Sequence, residues 1–189
     1  GEVVFLHMSG EAPYKKDQFW DAQAGGDTIR VAYPIFIPKG SKIVGSRITV
    51  AGATGSSENA EPLTKIAVQN LSDHMSRIMA KAIARQIAKY LASKGVQKAG
   101  ESVGGTAGTA MQVAGALFQF GSNVAEEADK RSWITLPSDV NVAKAYVEPG
   151  QHQMEVALLG SSGQVVETAT LPVEVEAGKV TFVSYRTFK

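Results

Sequence analysis

An α+β fold is what the sequence predicts, on three observations. β-branched and aromatic runs occupy both ends, the middle changes to a helical period, and turn signals recur about ten residues apart after it. The expected architecture is an antiparallel, sandwich-like β-sheet layer formed by N- and C-terminal strands, with an inserted pair of α-helices packed on it. Strands fill 2–52, the helical insertion 62–130 and further strands 133–188, so a single domain covers 2–189.

Each element follows from local chemistry. Glu2–Met8 is an apolar run closed by Ser9-Gly10-Glu11-Ala12-Pro13, a turn cluster. Asp27–Ile37 reads as a second strand, and Pro34 within it demands an edge position or a bulge. Lys42–Ala51 is a third, with Ile48 and Val50 on one face; Ile43 has the opposite parity and joins them only across a bulge at Gly45. Pro62 opens a helix, where its missing N–H costs little. Leu71, Met75, Ile78, Met79, Ala82 and Ile83 then recur on one face, giving a helix from about Leu63 to Ser93 with Gly95 as its stop. Residues 96–108 read as a Gly-rich loop, and Thr109–Lys130 as a second helix carrying Met111, Ala114, Leu117, Phe118 and Ala125. Beyond it, Met154, Val156 and Leu158 alternate with polar or smaller residues between the turns 148–151 and 160–163. Val165–Leu171, Val173–Glu176 and Lys179–Phe188 complete the strands.

Composition narrows the function classes. With 44% hydrophobic residues and a net charge of +1, the 189-residue chain is globular rather than disordered. Zero cysteines exclude disulfides, thiolate metal sites and thiol nucleophiles. The near-zero net charge argues against a general polyanion binder. The chain opens on an apolar strand without an initiator Met, as a mature or trimmed form would.

Catalytic spacings are missing from the linear sequence. There is no His-Glu-x-x-His, no Gly-x-Ser-x-Gly and no phosphate-cradling Gly-rich loop. His7, His74 and His152 fall in three different elements. Glu126, Glu127 and Asp129 cluster at the end of the second helix, and Glu174 and Glu176 share a strand face, too few oxygens for a calcium site. No catalytic residue, metal ligand or cofactor is therefore assigned.

Three features stand above this background. Arg77, Lys81, Arg85 and Lys89, each four apart, make a basic ladder beside the apolar face of the long helix. It reads either as a solvated or salt-bridged face, or as a docking face for an anionic membrane surface, envelope polymer or acidic partner. No aromatic residues interleave with it, which argues against nucleic acid. Secondly, Gly100, Gly104 and Gly108 form a small-residue series that leads into the uncharged stretch 102–125. Its length suits a bilayer and its spacing suits close helix contact, but its many polar residues favour a loop followed by a buried helix. Thirdly, Arg131, Trp133 and Pro137 mark a seam between helical and strand blocks, with Trp133 expected as a packing anchor.

The run Arg131-Ser132-Trp133-x-Thr135-Leu136-Pro137, followed by Val140-x-Val142-Ala143 and Pro149-Gly150, resembles a family of Gram-negative bacterial envelope lipoproteins of unknown function. So do the opening Val3-Val4-Phe5-Leu6 with Ala12-Pro13-Tyr14-Lys15-Lys16, and the closing Gly178-Lys179 with Phe182–Thr187. The resemblance implies that this chain corresponds to a C-terminal domain of longer, periplasmic proteins anchored through an N-terminal lipid signal. It implies no catalytic residues.

The sequence thus points to a non-enzymatic cell-envelope interaction module binding an envelope protein or cell-wall component, with self-association open. One alternative is a membrane-associating element using 100–125. Another is an enzyme grouping His7 or His152 with Asp139 or Glu155.

Overall fold

The computed structural model describes residues 1–24, 26–124 and 126–188. Where the sequence reading draws one domain over 2–189, the folded chain divides into two compact units. The first comprises residues 1–14, 37–68 and those from 132 onward; the second comprises 15–36 and 69–131. The fold class is α+β, with ten strands and two helices among the described residues.

The first unit is a pair of four-stranded sheets. One has the order β10 (Val180–Arg186), β1 (Glu2–Ser9), β7 (Asp139–Tyr146), β6 (Glu58–Glu61). The other has the order β5 (Ala53–Ser56), β4 (Gly45–Val50), β8 (Gly150–Leu159), β9 (Val165–Val175). The inward residues of both sheets make one core: Val3, Phe5, Ala143 and Ala145 from the first meet Ile48, Val50, Met154, Val156, Leu158, Val173 and Val175 from the second. The alternation along β8 therefore has its expected meaning, with 154, 156 and 158 buried. Ile43 joins this core by a different route from the one expected. It lies before β4, which starts at Gly45, so strand parity does not bind it and no bulge is needed. Ser41 Oγ accepts from the Ile43 N–H (3.2 Å) and donates to its carbonyl (2.8 Å), pinning that approach.

One strand pair departs from the antiparallel expectation. β1 and β10 run parallel, with Val3 opposite Thr181 and Phe5 opposite Val183, whereas β1 and β7 are antiparallel. The reason is the crossover: Val175, which ends β9, and Glu176 just after it lie beside Gly1, so the chain enters β10 next to the start of β1 and runs with it.

The second unit pairs a two-stranded sheet with a helical hairpin. β2 (Tyr14–Ala24), which the sequence reading does not foresee, pairs with β3 (Asp27–Ile37); Arg30 grips the Asp21 carboxylate with both Nε (2.9 Å) and Nη2 (3.1 Å). In a two-stranded sheet every strand is an edge, which is why Pro34 is tolerated. Ile29 and Val31 of β3 pack on Ala82, flanked by Met79, Ile83 and Tyr90. These side chains belong to α1 (Leu63–Val103), which starts in the first unit and continues through the second.

The expected loop at 96–108 is a correction: α1 runs through Gly95 to Val103 and α2 (Gly105–Val124) begins at once, not at Thr109. Gly104 and Gly105, both with positive φ (66° and 60°), make the turn. The helix propensity lost at glycine, about 1 kcal/mol each, is offset by contact that only glycine permits. A Cβ on Gly100 would lie 2.6 Å from the Gly108 carbonyl oxygen, and one on Gly115 2.9 Å from that of Ser93. The glycine series is thus a helix-to-helix seam inside this hairpin. Ala125, expected on the second helix, lies outside the described residues. Gly100→Ala should therefore lower stability by about 1–3 kcal/mol, since the crossing must spread, where propensity alone forecasts a gain of about 1 kcal/mol. Amide exchange across 93–115 measures the sign, and a slower rate in the variant would overturn the packing account.

Candidate functional site

The basic ladder divides in two. Lys89 Nζ lies 2.9 Å from Glu126 Oε2 and Arg85 Nη2 lies 2.7 Å from Oε1. The Glu126 side chain is only 2% exposed, so it needs both cations: a buried carboxylate is tolerated when paired and hydrogen-bonded. Arg77 and Lys81, the other two rungs, are exposed and make no ion pair among the described residues. The pairing of Glu126 with the ladder is what the sequence does not show, although the acidic cluster containing it is visible there. Glu126 follows α2 rather than ending it, and its partners lie 37 and 41 residues away. The one available signal was an acidic cluster, 126–129, in a chain with a basic ladder to match it.

The segment after Glu126 is organised by carboxylates. Asp17 accepts from the Ala128 N–H (2.9 Å) and from Lys130 Nζ (2.8 Å). Those bonds, Lys130 foremost, hold its carboxyl below the ordinary carboxylate range. Arg131 donates Nε and Nη2 to Asp129, each at 2.9 Å, and the Asp129 carboxyl is held far below its ordinary value by that bidentate grip and by the Arg131 backbone N–H. Lys15 Nζ donates to the Arg131 carbonyl (3.0 Å) and sits 5.5 Å from the Phe36 ring centroid. Between these groups and the ladder lies a cavity of about 260 Å³, walled by Lys15, Ala32, Pro34, Ile78, Lys81, Ala82, Arg85, Ala128 and Asp129.

The seam behaves differently from its expectation. Trp133 is 72% exposed, and Ile134 beside it is exposed as well, so Trp133 is no packing anchor. Main-chain bonds hold the segment instead: Leu136 O accepts from the Ala12 N–H (2.9 Å) and Arg186 Nη2 (3.2 Å), and Ser138 N–H donates to Ser9 O (2.9 Å). Pro137 is buried, whereas Arg131 turns to Asp129. Trp133→Ala should accordingly change folding stability by no more than about 0.5 kcal/mol; a urea titration showing a loss several times larger would restore the anchor.

The histidines do not converge. His7 is fully buried in β1, its Nε2 3.0 Å from Thr187 Oγ1, and its Nδ1 has no hydrogen-bond partner. Burial lowers its pKa to about 4. Ser9, Ser138, Asn141 and Thr187, also buried, make this end of the sandwich core polar, and Asn141 Nδ2 donates to Ser9 Oγ (3.1 Å). His152 Nε2 meets the Glu148 carbonyl, His74 Nδ1 the Asn70 carbonyl, and Asp139 accepts from Asn59 and Ser138. None of these bonds joins a histidine to Asp139 or Glu155. Among the described residues, no group of three or more His, Cys, Asp or Glu could hold a metal ion.

α2 shows a fifth arrangement. Its glycine side, Gly108 and Gly115, is buried, while three large apolar side chains, Val113, Leu117 (64% exposed) and Phe118, are exposed among uncharged polar neighbours such as Thr109 and Gln112. No charged residue occurs between 105 and 124. No helix among the described residues is long and apolar enough to cross a membrane.

Comparison of the chain with protein-family models, with curated proteins and with solved structures finds no match.

Proposed function

We propose that this chain is a non-enzymatic interaction module of the bacterial cell envelope, holding a protein or cell-wall partner. The observation that carries the reading is α2. Large apolar side chains clustered on an uncharged helix are ordinarily covered. This one spends only its glycine side on α1 and leaves Val113, Leu117 and Phe118 uncovered. Such a surface offers area for docking and no reactive group. The envelope setting, periplasmic and anchored through a lipid signal, rests on the resemblance carried by Arg131–Pro137 and the flanking strands.

The chain has no cysteine, so a single thiol can report on the surface. With Leu117→Cys carrying a photo-crosslinker in envelope preparations, we expect a discrete adduct that Ser162→Cys, on a turn, does not give. Equal or absent labelling at the two positions would overturn the reading. An adduct formed by the purified protein alone would identify the partner as a second copy. Flotation of the unmodified protein with vesicles would favour the alternative, a membrane-associating element using 100–125, which the uncharged surface of α2 supports.

A further inference from the structure

We infer that the cavity between the middle rungs of the ladder, Lys81 and Arg85, and the start of β2 is a binding site for a small organic anion, a carboxylate or phosphate head on an apolar body. The inference is independent of the α2 surface. Lys15, Lys81 and Arg85 line the cavity with one carboxylate, Asp129, whose charge is offset by the bidentate Arg131; Arg85 is neutralised by Glu126, so Lys15 and Lys81 are the two cations left for an occupant. The remaining wall is apolar: Ala32, Pro34, Ile78 and Ala82. Two alanines in that wall leave the space open. The ladder already demonstrates what it holds. Its lower rungs, Arg85 and Lys89, clasp the Glu126 carboxylate through one oxygen each. One turn up the same helix, Lys81 lines the cavity and has no ion-pair partner among the described residues, and Lys15 lines it too. An anionic head placed there repeats the Glu126 arrangement with the carboxylate supplied from outside. Lys81, Arg85 and Asp129 are exposed, so solutes reach the mouth. At about 260 Å³ the cavity is smaller than the roughly 300–1,000 Å³ usual for drug-sized ligands, which restricts the occupant to a compact molecule.

The test is a titration of the isotope-labelled full chain with benzoate and with phenyl phosphate, using benzyl alcohol as the neutral probe. Saturable shifts are expected at the amides of Ala32, Ile78 and Ala82 with at least one of the two anions, and none with benzyl alcohol. Lys81→Gln should weaken binding about tenfold or more, and Arg77→Gln, four residues away and outside the cavity wall, less than twofold. Both positions are exposed, so both variants should keep the wild-type amide spectrum elsewhere. The relative affinities of the two anions decide between carboxylate and phosphate. Failure of both anions to saturate, equal binding of the neutral probe, or equal loss in the two variants would overturn the assignment.

Discussion

Phe5→Ala is expected to remove about 3–5 kcal/mol from the stability of the sandwich unit. Phe5 is fully buried at the centre of β1, between the parallel pair with β10 and the antiparallel pair with β7. Its ring belongs to the core that joins both sheets, together with Ile48, Met154 and Val156. Truncation loses the transfer free energy of the ring and leaves a void. The flanking strands are bonded on both sides of β1, so they cannot close in to fill it. A loss of this size corresponds to roughly a thousandfold faster exchange of the slowest amides in β1 and β7. Exchange rates within tenfold of wild type would mean that Phe5 is not central to this core.

Acidification should cost the same unit about 3 kcal/mol through His7 alone. The sign follows from where the proton goes. Burial lowers the folded-state pKa from 6.5 to about 4. Above pH 6.5 both folded and unfolded chains carry neutral His7, and the group makes no difference. As pH falls from 6.5 towards 4 the unfolded chain takes a proton that the folded chain refuses, so stability declines throughout that window and levels off below it. The interval of roughly 2.5 pKa units corresponds to the stated energy. The measurement is the urea midpoint of wild type and His7→Gln at several pH values. His74, His152 and the carboxylates are common to both proteins and cancel in the difference. Parallel pH profiles would show that His7 takes its proton in the folded state as readily as in the unfolded one.

How much of this was legible in the sequence depends on the range of the interaction involved. The alternation at Met154, Val156 and Leu158 is a property of neighbouring residues, and it placed β8 correctly. The periodic run from Leu71 to Ile83 did the same for the body of α1. What escaped depends on distant partners. β2 carries Phe19 and Trp20 side by side, both exposed, so it shows no two-residue period; it is a strand because β3 pairs with it. The glycines at 100 and 108 look like helix breakers until the second helix is laid against them. The direction of β10 relative to β1 is set by a crossover between sheets that composition does not encode. At the candidate site, spacing alone found the four basic residues. That two of them are committed to Glu126 while Lys81 faces a cavity could only come from the fold.

The parallel lie of β1 and β10 has a mechanical consequence. Tension applied between Gly1 and Phe188 draws these neighbours along their axes in opposite senses, because the first is held at its leading end and the second at its trailing end. Every bond across the pair from Glu2–Val180 to Met8–Arg186 is then loaded together in shear instead of being peeled one at a time. A protein tethered at one terminus and hauled from the other meets its stiffest resistance at the strands where its own ends adjoin.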